Sequence, residues 1–285
     1  SQRPEPNLGQ FLDLVALGTV ADVVPLDCNN RILVHQGLLR MRQGHTRPGI
    51  LALVEIGKRD LSRLSAQDLG FAVGPRLNAA GRLQDMSVGI RCLLADDLSS
   101  ARALAQELDG LNKDRRELEQ DMVADAELLL AQVPKIDRNF GVAVYHERFH
   151  QGVVGIVAGR LRERLHRPAI VFADSSEGAA GEIKGSARSI DGLNIRDVLD
   201  TIATRYPGLL IKFGGHAMAA GLSLKHVHFE RFRSIFDGVV SELIDEDTLR
   251  AKCFVDGGLT EQELTLETVH TLFAAGPWGS GFPEP

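Results

Sequence analysis

A histidine follows two glycines at Gly214-Gly215-His216, between the apolar Leu209-Leu210-Ile211 and the small residues Ala217–Gly221. Glycine lets a backbone approach a ligand closely or take positive φ, and consecutive glycines can aim several N–H groups at one anion. A tight turn with a hydrogen-bonded histidine is the simpler account of this triplet taken alone. Two other segments point toward an anion: Gly185-Ser186-Ala187-Arg188-Ser189, and the run from His150 to Gly159, which opens a helix-like stretch. Hydroxyl, guanidinium, imidazole and backbone N–H donors at a helix start are the groups that bind phosphate.

Two further stretches carry candidate chemistry. In Gly70–Arg82, Pro75 interrupts a regular helix, and three glycines accompany Arg76 and Arg82 in a segment with no other charge. Each arginine can grip phosphate through paired donors, or it can pair with Asp68 or Asp85. Leu12–Leu26 is an almost continuous apolar run, the pattern of a fully buried strand turning into a loop. Asp22 within it is costly to bury unless it is paired, hydrogen-bonded or metal-bound, and it can equally cap the next helix.

Composition narrows the class. A chain of 285 residues with 44% hydrophobic and 25% charged residues is an ordinary globular protein, long enough for two domains. It has no apolar run near the length that spans a bilayer, so no membrane role is expected. Three distant cysteines form neither a disulfide framework nor a zinc motif, which points to a reducing, cytoplasmic setting. A net charge of −6 argues against broad coating of nucleic acid, so polyanion binding must rest on local groups. The start at Ser1 and the turn-rich Gly276–Pro285 lead to the expectation of a piece of a longer protein.

The elements that must position these groups follow from spacing. Helices are expected over Asn30–Arg42 and Pro48–Gly57, with a helix-start cap at Ser65–Asp68. Ser99–Gln132 reads as one long amphipathic helix ended by Pro134. Beyond Asn139, strands at Gly141–Tyr145, Ala169–Ala173, Lys184–Ile190, Leu209–Phe213 and Gly221–Leu224 alternate with helices at Val153–Leu165, Asn194–Arg205 and Phe229–Leu243, an α/β layer. A strand-like Cys253–Asp256 and a helix-like Thr265–Ala274 follow. His226-Val-His228 is expected on the surface, outside any site.

With these segments together, the chain resembles the RecJ family, bacterial 5′→3′ exonucleases specific for single-stranded DNA within the DHH/DHHA1 phosphoesterase group. Five ordered motifs carry the resemblance: Ala16–Leu26, Gly74-Pro-Arg-Leu-Asn-Ala-Ala-Gly-Arg82, His150–Gly159, Gly185–Ser189 and Gly214-Gly-His216. The resemblance implies an α/β fold in which the end of a DHH catalytic domain (1–98) is joined by a long connecting helix (99–134) to a DHHA1 domain (135–250). A linker and the start of an OB-like domain (251–285) follow.

It also implies roles. Asp22 matches the last metal-binding aspartate of a centre that uses two Mn²⁺ or Mg²⁺ ions, and His216 matches the catalytic histidine of the DHHA1 loop. Arg76 or Arg82, Ser186 and Arg188 match positions that hold the 5′ phosphate, with His150, Gly214 and Gly215 as further substrate contacts. Implied partners are single-stranded DNA with a 5′ end, a helicase and a single-strand-binding protein, in recombination and repair. The Asp-His-His signature and the family's earlier aspartates are absent from this sequence, so the chain alone is expected not to hydrolyse DNA. Two alternatives stand beside this reading: a small phosphodiesterase for cyclic dinucleotides or short RNA, and a noncatalytic nucleic-acid-binding module.

Overall fold

The computed structural model describes residues 6–132, 138–175, 181–252 and 254–285. They fall into two compact units, one running to Asp114 and including Phe254–Pro285, the other running from Arg115 through Lys252. The long helix Leu98–Ala131 passes from the first to the second. The fold class is α/β, as expected.

The described part of the first unit is helical: α1 Leu12–Ala21, α2 Cys28–Arg42, α3 Pro48–Ile56, the single turn α4 Ala66–Asp68, α5 Gly74–Leu83, α6 Ser87–Leu93, the first half of α7 Leu98–Ala131, and a later helix, Leu266–Ala275. Apolar residues at helical spacing, such as Val34, Leu38 and Met41 on α2 and Ile50, Leu53 and Val54 on α3, form one core with Ala16, Leu17 and Leu108. Ser65 and Asp68 make the expected capping box. Pro75 does not break its helix: it occupies the first turn of α5, where its missing N–H costs nothing, and a π-helical turn at Leu69–Val73 precedes it.

The Leu12–Leu26 run corrects the sequence reading, because it is a helix and then a turn. A run that is apolar on every face shows neither period, and the caps decide. The helix closes in a Schellman motif: Val23 N donates to the Val20 carbonyl at 3.2 Å and Val24 N to the Thr19 carbonyl at 3.0 Å. Val23 takes the left-handed φ of 56° that this closure needs. Asp22, the cap residue, is exposed. The carboxylate that is buried is Asp13, 3% exposed, and it is satisfied by Arg47, by Leu14 N at 2.8 Å and by Arg47 N at 3.0 Å.

The second unit holds the sheet. Its strands are β1 Val142–Tyr145, β2 Ala169–Asp174, β3 Glu182–Arg188, β4 Lys212–Gly215 and β5 Ala219–Lys225, in the order β1-β2-β3-β5-β4. β1 and β2 are parallel, joined through α8 Val154–Leu165, and the other pairs are antiparallel. α9 Ile195–Arg205 and α10 Phe229–Leu243 supply the core of one sheet face, through Val198, Leu199 and Ile202 on the first and Phe232, Phe236 and Val240 on the second. The helix at Leu266–Ala275 is α11 in chain order.

Several strand limits differ from expectation. The strand expected at Leu209–Phe213 is Lys212–Gly215, so the paired glycines lie inside an edge strand; Leu209 is buried in the turn before it. His226–His228 is a short 3₁₀ turn. Phe254–Asp256 forms no strand, while Cys253 and Pro134 lie outside the described residues. None of the described helices is long and apolar enough to cross a membrane.

Candidate functional site

β3 alternates in burial, with Gly185 and Ala187 buried and Ser186 and Arg188 half-buried on the opposite face. Arg188 Nη1 donates to Ser186 Oγ and to the Ala187 carbonyl, each at 2.9 Å, so the guanidinium folds back along its own strand. α8 packs on β2 and β3 and brings Gly155, in its first turn, beneath these two side chains. A carbon added at Gly155 would meet Arg188 Nη2 at 2.8 Å and Ser186 Oγ at 3.0 Å. Glycine is required there for the guanidinium and hydroxyl to reach the helix start.

The turn before α8 is built by His150. Its carbonyl accepts from Val153 N at 3.0 Å and Val154 N at 3.2 Å, and its Nδ1 accepts from Gly152 N at 3.1 Å. With Nδ1 an acceptor, the neutral ring carries its proton on Nε2, and the side chain is exposed. Ser186 Oγ and the Arg188 guanidinium are therefore brought to the start of a 12-residue helix, with His150 and the glycine turn just before it. An anion with several acceptor oxygens fits that set.

The glycine–histidine hairpin lies on the same sheet. Gly214 pairs with Gly221, and Gly221 pairs with Ser186, so the three occupy one ladder row; strands about 4.8 Å apart put Gly214 roughly 10 Å from Ser186. Gly214 and Gly221 are exposed, and a carbon added at Gly214 would meet nothing within 4 Å. Gly215 has φ +148°, and an added carbon would lie 2.4 Å from the Ala219 carbonyl oxygen. His216 N donates to that carbonyl at 2.8 Å, and Ala219 is the ladder partner of Arg188. The exposed imidazole of His216 thus stands at the Arg188 end of the sheet.

In the first unit, Arg76 is committed. Its Nε and Nη2 reach Asp109 Oδ1 at 2.9 and 2.8 Å and its Nη1 donates to the Ala72 carbonyl at 2.5 Å, with the pair nearly buried. The partner is neither carboxylate considered from sequence: Asp68 serves the Ser65 cap and Arg59, and Asp85 accepts from Ser87 N. Burial pulls the Asp109 carboxyl up, but hydrogen bonds from Lys113 and Arg76 and their charges outweigh it and hold the group below its ordinary range. Arg82, in the last turn of α5, is exposed.

Asp22 is a single exposed carboxylate, and among the described residues no three His, Cys, Asp or Glu are placed to hold a metal ion. A two-metal centre needs several carboxylate or imidazole ligands, so these residues do not by themselves fit one. Sequence reading passed over Gly155, whose signal was its place in the first turn after His150, and Asp13, whose partner Arg47 lies far along the chain.

Residues 137–242, within the second unit, match the DHHA1 domain model. The likeness then extends along almost the whole chain to RecJ. Over 282 residues the chain is 56% identical to the "Single-stranded-DNA-specific exonuclease RecJ" of Salmonella typhimurium, covering 98% of this chain and 48% of that protein. It superposes on the structure of Thermus thermophilus RecJ in complex with Mg²⁺ with a TM-score of 0.83 at 31% identity, covering 98% of this chain and 42% of the other. The Mn²⁺ complex from the same organism gives 0.83 at 32% identity, with 98% and 40% covered. The chain is homologous to RecJ and spans about half the length of the curated relatives it matches.

Proposed function

We propose that this chain is the 5′-phosphate-receiving part of a single-stranded-DNA-specific 5′→3′ exonuclease. The observation that carries the reading is the junction of Arg188, Ser186 and Gly155, a guanidinium and a hydroxyl laid over the start of a helix. In this reading Ser186, Arg188 and His150 bind the terminal phosphate. Gly214 and Gly215 give the strand a floor without side chains, and His216 is the catalytic histidine beside the scissile bond. Arg82 is a further phosphate contact; Arg76, held by Asp109, has a structural role.

Asp22 is proposed as one ligand of a Mn²⁺ or Mg²⁺ centre whose remaining ligands come from outside this sequence. The chain alone is proposed to be inactive, because one carboxylate cannot assemble the centre. The proposed setting is cytoplasmic DNA recombination and repair, with single-stranded DNA as substrate and a helicase and a single-strand-binding protein as partners.

The test is hydrolysis by the intact protein with Mn²⁺. Stepwise release of mononucleotides from the 5′ end of a single strand, and none from a blunt duplex, is expected. Hydrolysis confined to dinucleotides would favour a small phosphodiesterase. Metal-independent RNA binding that survives Asp22→Ala, without hydrolysis, would favour a binding module.

A further inference from the structure

Gln151 lies in the turn that carries His150 and leads to Gly155, and its side-chain amide donates to the backbone carbonyl of Asp174. Asp174 ends β2, and its carboxylate accepts the Tyr145 hydroxyl, at the end of neighbouring β1, at 2.8 Å. Tyr145 is itself set by ring packing, 4.5 Å from His226 and 5.8 Å from Phe229 between centroids. Burial, then the Asp174 carboxylate, pushes the Tyr145 hydroxyl up to about 12, so it remains a protonated donor at neutral pH.

Asp174 therefore takes a side-chain bond from one strand and a backbone bond from the turn. Gly152 N, Val153 N and Val154 N donate to His150, and these bonds shape the turn. Packing of the buried Val153 and Val154 seats the helix start, and packing of that kind is non-directional. The Gln151 bond is directional and runs to the sheet.

We propose that Gln151 is a positioning residue for the phosphate grip, holding the His150–Gly155 turn at the spacing from Ser186 and Arg188 that a terminal phosphate requires, with the Tyr145–Asp174 pair as its anchor. The inference rests on reading that grip as a 5′-phosphate site.

Gln151→Met keeps the side-chain length and removes the donor, and Tyr145→Phe keeps the ring and removes the hydroxyl. In the intact protein, two quantities are measured for both variants and for Arg188→Ala. They are amide hydrogen exchange at Gly152 and affinity for single strands ending in a 5′ phosphate or a 5′ hydroxyl. Q151M is expected to lose about tenfold in affinity for the phosphorylated end, the scale of one hydrogen bond, with faster exchange at Gly152. Its affinity for the hydroxyl end and its thermal midpoint stay near the parent, and Y145F moves the same way by less. If R188A abolishes the phosphate preference while Q151M retains both the preference and the parent's exchange, the inference is overturned and the phosphate site stands. If R188A also keeps the preference, the phosphate reading falls and this inference falls with it.

Discussion

Gly155 lies directly beneath Arg188: a single carbon added to the glycine would come within 2.8 Å of the guanidinium Nη2. The atom it meets is the far end of a flexible side chain, so the guanidinium would swing away and the fold would hold. Gly155→Ala is expected to weaken binding of a 5′-phosphorylated strand about tenfold while leaving thermal stability equal or higher, since alanine favours a helix by about 1 kcal/mol over glycine. Paired calorimetric titrations and melts check this, and a lowered melt would show that the contact matters to the fold instead.

The two glycines of the edge strand separate by substitution. At Gly215, with φ +148°, an added carbon would lie 2.4 Å from the Ala219 carbonyl oxygen, so no side chain fits without moving backbone. Gly215→Ala is expected to cost about 2 kcal/mol or more in denaturant unfolding. Gly214 has open space, so Gly214→Ala is expected to change stability by less than about 0.5 kcal/mol. Its effect on strand binding would then be read without a folding artefact.

Val23 is strained at the end of α1. A β-branched residue in the left-handed region costs about 1–2 kcal/mol, and its side chain is 68% exposed, so packing returns little. Glycine removes that cost and adds about 0.5–1 kcal/mol of unfolded-chain entropy. Val23→Gly is therefore expected to stabilise the protein by about 0.5–1 kcal/mol in chemical denaturation. A loss of stability would mean that the valine side chain is packed by something that favours this conformation.

The Arg76–Asp109 pair predicts a pH dependence. Because the folded Asp109 carboxyl is held below its ordinary range, its stabilisation is fully present above the unfolded value of about 4 and is lost as pH falls through the lower folded value. Asp109→Asn should cost about 2 kcal/mol at pH 7, and the gap to the parent should close as pH is lowered past about 4. Urea midpoints of both proteins from neutral to acidic pH measure it; a gap that stays constant would contradict the ionic role.

Local pattern made the amphipathic elements legible. Phe229–Leu243 is a helix over the range its apolar spacing predicts, and the Ser65 cap was visible in four residues. Where no period existed, as in Leu12–Leu26, the decision fell to a cap whose hydrogen bonds the composition does not reveal. β4 was misplaced because pairing with β5 sets its limits, and pairing is not local. The residue types of the phosphate grip were readable in three segments. Their convergence was not, since Gly155 and Arg188 are brought together by the β1–α8–β2 crossover and the β2–β3 pairing. The Asp109 partner of Arg76 lies 33 residues on, two helices away, with two nearer carboxylates in the sequence to mislead.

The most direct measurement compares the intact protein and its Arg188→Ala variant in binding one single-stranded oligonucleotide that carries either a 5′ phosphate or a 5′ hydroxyl. A charge-assisted contact to the terminal phosphate predicts a loss of about 1.5–3 kcal/mol for the phosphorylated strand and little change for the other. Equal losses for the two strands would contradict the assignment of Arg188 and the helix start beneath it to the 5′ phosphate.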